Sequence, residues 1–269
     1  MLIDFHFHAF TDKIAVRAME KLTATCGVPA FTDGRLSSAL QCFDRWGVDR
    51  GVLLPIATKP SQQRIINDWA AENDGGRVIS FGTVHPDSED LFEEMHRVKE
   101  MGLHGFKLHP EYQGFFINEP RLDPMFSELE CIGLPVTVHA GLDPISPEVT
   151  YCMPEPASEM IKRHPKLRII LAHMGGNEYW QESLDHICGL DGEVYIDTAY
   201  SLYVPDELML KMIRKHGADR VLFASDCPWQ SAELMFRKID ALPLTDDEKE
   251  KIFFRNALAL LGESKSTTV

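Results

Sequence analysis

The stretch Leu2-Ile3-Asp4-Phe5-His6-Phe7-His8 is a short apolar run with two histidines set two residues apart. As a β-strand it places residues i and i+2 on one face. His6 and His8 then point the same way and can bind one metal ion from neighbouring rungs. Seven further runs read as strands: Arg50–Ile56, Val78–His85, His104–His109, Pro135–Ala140, Leu167–His173, Val194–Thr198 and Arg220–Ser225. An amphipathic, helix-like segment follows each strand. Val52-Leu53-Leu54 and Ile169-Ile170-Leu171 are apolar without interruption, as expected of parallel strands buried on both faces. Eight such repeats predict a (β/α)8 TIM barrel, an α/β fold. Two helices, about Ser231–Ala241 and Thr245–Leu261, close the chain, so the barrel carries an additional C-terminal helix. A doubly wound open sheet has the same alternation and is the competing architecture. No Gly/Ser- or Pro-rich linker divides the chain, which predicts a single domain over residues 1–262. Glu263–Val269 is polar and aperiodic and reads as a disordered tail.

Composition narrows the function classes. The chain has 269 residues, 44% hydrophobic and 25% charged, as in ordinary globular enzymes. Asp and Glu total 41 against 27 Lys and Arg, a formal charge of −14. Nucleic acid and anionic membrane surfaces are polyanions and would be repelled. Met1–Phe10 carries Asp4 and two histidines within its apolar run, unlike a secretory signal. No run approaches the roughly 18 apolar residues of a membrane span. The six cysteines are scattered without a C-x-x-C pair, which reads as reduced thiols in a cytoplasmic protein.

The chemistry gathers where a barrel keeps its active site, at the C-terminal ends of the strands. His6 and His8 end the first, His85 the third, Lys107 and His109 the fourth. His139 ends the fifth, His173 the sixth, Asp197 the seventh and Asp226 the eighth. These positions converge only if the sheet closes. Imidazole and carboxylate ligands suit zinc, and also iron, manganese or nickel. Cys227 falls off the site face by alternation and reads as a small buried apolar residue. Asp4 shares the face of His6 and reads as an orienting or packing residue. His85 and Asp197 read equally as structural or substrate-facing, and Trp229 and Tyr112 as cavity walls. His96, His104, His164, His186 and His216 fall on helices or turns and read as surface or capping residues. Ser225 and Ser201 lack a His–Asp partner pattern for nucleophilic chemistry.

Taken in order, Ile3-Asp4-Phe5-His6-Phe7-His8, Gly105-Phe106-Lys107-Leu108-His109-Pro110, Val138-His139-Ala140-Gly141, Ala172-His173-Met174-Gly175-Gly176 and Phe223-Ala224-Ser225-Asp226-Cys227-Pro228-Trp229 resemble the amidohydrolase superfamily. The resemblance is strongest to its amidohydrolase-2 branch, which includes relatives of aminocarboxymuconate-semialdehyde decarboxylase. It implies a divalent metal, zinc first, with one ion favoured and two open. His6, His8, His139 and Asp226 match metal ligands, and Asp226 also matches the residue that takes a proton from metal-bound water. His173 matches an acid/base, oxyanion-side or second-metal group. Lys107 matches a residue that binds substrate or, carboxylated, bridges two metals. Glu111 is placed to serve a second metal. The implied activity is hydrolysis of a small amide, lactone or ester, with a carboxylate-bearing substrate. Compactness of the chain favours this over nonoxidative decarboxylation, the alternative known in the branch. A non-catalytic metal-binding barrel is a third reading, which retention of both His173 and Asp226 disfavours. The branch also leaves a homodimer open.

Overall fold

The computed structural model describes residues 1–263. Its strands are β1 (Ile3–Phe7), β2 (Arg50–Leu53), β3 (Val78–Ser80), β4 (Gly82–Thr83), β5 (Phe106–Leu108), β6 (Val136–Val138), β7 (Ile169–Leu171), β8 (Val194–Asp197) and β9 (Val221–Leu222). All named pairings are parallel. β3 and β4 form one stave interrupted only at Phe81. The Phe81 amide donates to Leu53 on one side, and the Gly82 amide donates to Gly105 on the other. The ring closes between β9 and β1: Phe5 N–H donates to Phe223 O, Asp226 N–H to His6 O and His8 N–H to Cys227 O. The architecture is thus the expected TIM barrel rather than an open sheet.

The helices follow the predicted segments: α1 (Ala15–Cys26), α2 (Leu36–Trp46), α3 (Gln63–Glu72), α4 (Leu91–Glu100), α5 (Pro110–Gln113), α6 (Asp123–Ile132), α7 (Pro154–Arg163), α8 (Trp180–His186), α9 (Asp206–His216) and α10 (Ala232–Ala241). Only the one-turn α5 was not anticipated. The last predicted helix is a continuous run, α11 (Asp246–Glu250), a π-helical turn at Lys251–Arg255 and α12 (Asn256–Leu260). It starts on a capping box between Thr245 and Glu248. Glu263 departs from the expected tail, because Arg50 grips its carboxylate with two bonds of 2.5 and 2.9 Å. The remainder of that tail, residues 264–269, lies outside the described residues. Among the described residues no helix is long and apolar enough to cross a membrane.

Two apolar layers hold the barrel. Outside the sheet, Leu53, Phe106, Val136 and Ile169 pack against helix residues such as Phe43, Met95, Phe126 and Met160. Inside it, Ile3, Phe5, Val52, Leu54, Phe81, Ile170 and Leu222 fill the lower half, and Ala257, Leu258 and Leu260 of α12 join them. The additional C-terminal helix therefore plugs one end of the barrel and leaves the other for chemistry. Strict alternation fails on β1. The register shifts between Asp4 and Phe7, so Ile3 and Phe5 lie with the inner layer while Phe7 lies with the outer one. Such an irregularity re-aims side chains beside a site. Asp4 accordingly does not reach the His6 ring. It accepts from the amide and hydroxyl of Ser225 instead, holding the turn that carries Asp226.

Candidate active site

The upper ends of β1, β7, β8 and β9 bring His6, His8, His173, Asp197 and Asp226 together. His173 and Asp226 have φ of 62° and 66°, the left-handed region that residues other than glycine and asparagine seldom adopt. Each strand thus ends in a sharp turn with a functional side chain at its apex. Gly141 makes a comparable fit between the loops after β6 and β7. Its φ is 87°, and a Cβ there would meet the Asn177 amide nitrogen at 2.1 Å.

The floor of the site is fixed by hydrogen bonds. His6 Nδ1 lies 2.8 Å from Asp197 Oδ2 and His8 Nδ1 lies 2.8 Å from Leu54 O. Both rings must donate from Nδ1, which leaves the Nε2 lone pairs facing inward. Burial, then the Lys107 cation, hold His6 well below the usual histidine range and keep it neutral. Three acceptors converge: His6 Nε2 and His8 Nε2 are 3.2 Å apart, and Asp226 Oδ1 is 3.5 and 3.2 Å from them. Ligands about 2.0–2.2 Å from a tetrahedral ion stand about 3.4 Å from one another. Asp226 Oδ1 is buried and has no hydrogen-bond partner among the described residues. The residues present therefore fit a metal ion, and the Asp197–His6 pair has the form that orients a metal-binding imidazole.

The adjoining wall is built differently. The His109 ring is stacked between Tyr112 and His139, with centroids 3.7 and 4.2 Å away. Its Nδ1 lies 3.5 Å from Glu111 Oε2 and its Nε2 3.5 Å from Asp143 Oδ2, beyond ordinary hydrogen-bond length. A chain of bonds sets the His139 tautomer. His173 Nδ1 donates to Ala199 O at 3.0 Å, so its Nε2 accepts from His139 Nδ1 at 2.9 Å. His173 is neutral, since burial lowers its pKa to about 4. His139 Nε2 is then a free lone pair, 3.9 Å from both Glu111 and Asp143. Burial pushes Glu111 up to about 8 and Asp143 up to about 6. Ligand atoms of His109, His139 and Asp143 lie within 4.8 Å of one another, as do those of His6, His8 and Asp226.

A family model described as "Amidohydrolase" (Amidohydro_2) matches residues 3–262. The chain belongs to the amidohydrolase family. This amidohydrolase is 24% identical over 226 residues to the 2-amino-3-carboxymuconate-6-semialdehyde decarboxylase of Dictyostelium discoideum. That match covers 69% of the chain and 61% of the relative, so the chain spans about three-fifths of the curated relative's length. Its fold is similar to that of 5-carboxyvanillate decarboxylase from Sphingomonas paucimobilis, with a TM-score of 0.73 at 20% identity over 98% of this chain and 99% of the other. It is also similar to a dihydroxybenzoic acid decarboxylase from Polaromonas sp. JS666 with bound manganese and the inhibitor 2-nitroresorcinol. There the TM-score is 0.71 at 16% identity, over 97% and 96% of the two chains.

Of the expected ligands in this amidohydrolase, His6, His8 and Asp226 form one group, while His139 groups with His109 and Asp143. Lys107 is fully buried inside the barrel and donates to His6 Nε2 at 3.2 Å. It is not among the residues lining the cavity, whereas His109, two residues on, is. Asp197 proves to be the partner of His6. Its other oxygen accepts from the His173 and Ala199 amides. Trp229, Tyr112 and Glu111 line the cavity, and Cys227 and His85 do not. Ser225 and Ser201 bond to Asp4 and Ala199 O. His164 and His216 occupy helix ends as expected but are buried. His164 Nε2 lies 3.2 Å from Asp123 Oδ1, and His216 Nδ1 accepts from the Gly189 amide at 3.3 Å. Sequence reading passed over Asp143. It lies in an irregular loop with no periodic signal, four residues beyond His139.

Proposed function

We propose that this amidohydrolase catalyses metal-dependent, nonoxidative decarboxylation of a small carboxylated substrate. The observation that carries the reading is a floor where ligand atoms of His6, His8 and Asp226 converge, beneath a cavity of about 630 Å³ whose walls are largely apolar. Decarboxylation asks for little more. The carboxylate carbon leaves as carbon dioxide, the bonding electron pair stays on the substrate, and a proton takes its place; no water is consumed. The activity named for the Dictyostelium discoideum relative, a decarboxylase, supports this over hydrolysis. Compactness does not oppose it, because the fold likeness extends over 99% of the 5-carboxyvanillate decarboxylase chain.

His6, His8 and Asp226 would hold the metal, with His139 offering its free Nε2 as a further donor. Such an ion supplies positive charge for the substrate carboxylate and a neighbouring oxygen. Asp226 also lines the cavity, so the carboxylate oxygen not spent on the metal can relay the replacing proton to the substrate carbon. Both His173 nitrogens are engaged, which makes His173 a positioning residue for His139. Lys107 donates to the same His6 Nε2 that would ligate the metal, so its ammonium would give up that bond when an ion is held. The apolar walls keep water from the reacting carbon.

The test is a panel of hydroxylated benzoates, lactones and amides. Metal-free enzyme is reconstituted separately with zinc and with manganese. Carbon dioxide release, with one deuterium entering the product in D2O, is the expected result. Turnover of lactones or amides with no carbon dioxide from any carboxylate would overturn the reading.

A further inference from the structure

The cavity is much larger than its polar floor, and two helix faces join the loops in forming its remaining walls. On α1 the lining positions are Ile14 at the N-cap, then Ala18, Lys21, Leu22, Thr25 and Cys26. Those spacings of three and four residues trace one stripe of a helix. On α3 they are Ile66 and Trp69, three residues apart and side by side on the helix surface. α1 stands between β1 and α2 and so lies outside the simple strand–helix repeat. Across the mouth, Ile145 in the loop after β6 is 37% exposed and Ile14 is 50% exposed. Both belong to the cavity lining, where the apolar body of a ligand would cover them.

Charge in the lining is one-sided. Glu111, Asp143 and Asp226 are present, and among the described residues Lys21 is the only lysine or arginine. Lys21 is exposed on α1. A second anionic group in the chamber would lose its hydration with no enclosed lysine or arginine to replace it. A hydrocarbon body would instead gain from burial against both helices.

We propose that the substrate is a monocarboxylate with an extended alkyl or aryl body, held head-down at the metal floor with its body between α1 and α3. The inference rests on the decarboxylase reading for the carboxylate end only. Cavities of about 300–1,000 Å³ hold ligands of drug size, and this one has room for several methylenes beyond a ring.

The test measures binding rather than turnover, by quenching of Trp69 and Trp229 fluorescence in the metal-loaded enzyme. The probes are 2-hydroxybenzoate, its 4-methyl to 4-hexyl derivatives, and benzene-1,3-dicarboxylate. Affinity should rise about fourfold per added methylene until the chamber is full. The dicarboxylate should bind at least tenfold more weakly than 2-hydroxybenzoate. Ile66→Asp and Leu22→Asp, each checked for an unchanged thermal melt, should flatten the alkyl series. Should either variant misfold, Ile66→Ala and Leu22→Ala should reduce the slope. Equal affinity along the series, tighter binding of the dicarboxylate, or a slope insensitive to these substitutions would overturn the proposal. A steep series without carbon dioxide release would sink the decarboxylase reading alone. Carbon dioxide release with a flat series would sink this one alone.

Discussion

The floor and the wall of the site are both made of imidazoles and carboxylates, yet they are held by different forces. On the floor, His6 and His8 each spend one nitrogen on a fixed acceptor, Asp197 or Leu54 O, at 2.8 Å. Their other nitrogens are committed to a single direction. On the wall, His109 is fixed by stacking on Tyr112 and His139, and its nitrogens stand 3.5 Å from carboxylates that do not hydrogen-bond to it. Hydrogen bonds specify a lone-pair direction; stacking specifies only a plane. The floor therefore aims three ligand atoms at one point, whereas on the wall only His139 has its tautomer fixed, by His173, and His109 is free to turn within its plane.

The largest test of that contrast is Asp226→Asn. Turnover should fall by about a thousandfold with the thermal melt little changed, and near-normal rates would break the proton role. Next, His6→Ala or His8→Ala should remove most bound metal by elemental analysis, while His109→Ala retains it. Equal losses from both regions would erase the distinction. A finer probe is Asp197→Asn, which keeps every floor ligand but loosens His6. Metal affinity should weaken by roughly 10–100-fold, read by competition with a chelator. Unchanged affinity would mean that the Asp197 bond does not orient the ring.

The smallest effect concerns stability. Glu111 is raised from 4.5 to about 8, chiefly by burial. Between those values the folded state holds a proton that the unfolded state has released. Stability is therefore highest at low pH in this window and is lost as pH rises toward 8. Glu111→Gln should stabilise the metal-free protein at pH 8 by about 1 kcal/mol or more and flatten the pH dependence of its melting temperature. A melt with unaltered pH dependence would show that Glu111 ionises freely.

Much of this architecture was legible beforehand, for physical reasons that differ between elements. All eight staves fell within the predicted runs because parallel strands buried on both faces need unbroken apolar sequence. The pairing of His6 with His8 was legible because i and i+2 share a face even where the strand shifts register nearby. Asp4 misled for the same reason. Alternation assumes an even pleat, and the irregularity between Asp4 and Phe7 turned it toward Ser225. Lys107 was legible as an inward residue, but not as one enclosed beneath His6, since depth inside a barrel is set by neighbouring staves.

By itself, then, the sequence determined the repeating strand–helix order, the closing helices and the strand ends that bear histidine and aspartate. These follow from local periodicity, which needs no knowledge of distant residues. Only the tertiary structure decided that Asp197 orients His6 from 191 positions away, that His139 hands one nitrogen to His173, and that Asp143 and Glu111 face one another's histidines. Those contacts depend on ring closure and loop packing. Closure brings together residues that no local repeat relates, so their chemistry is written in distances rather than in spacing.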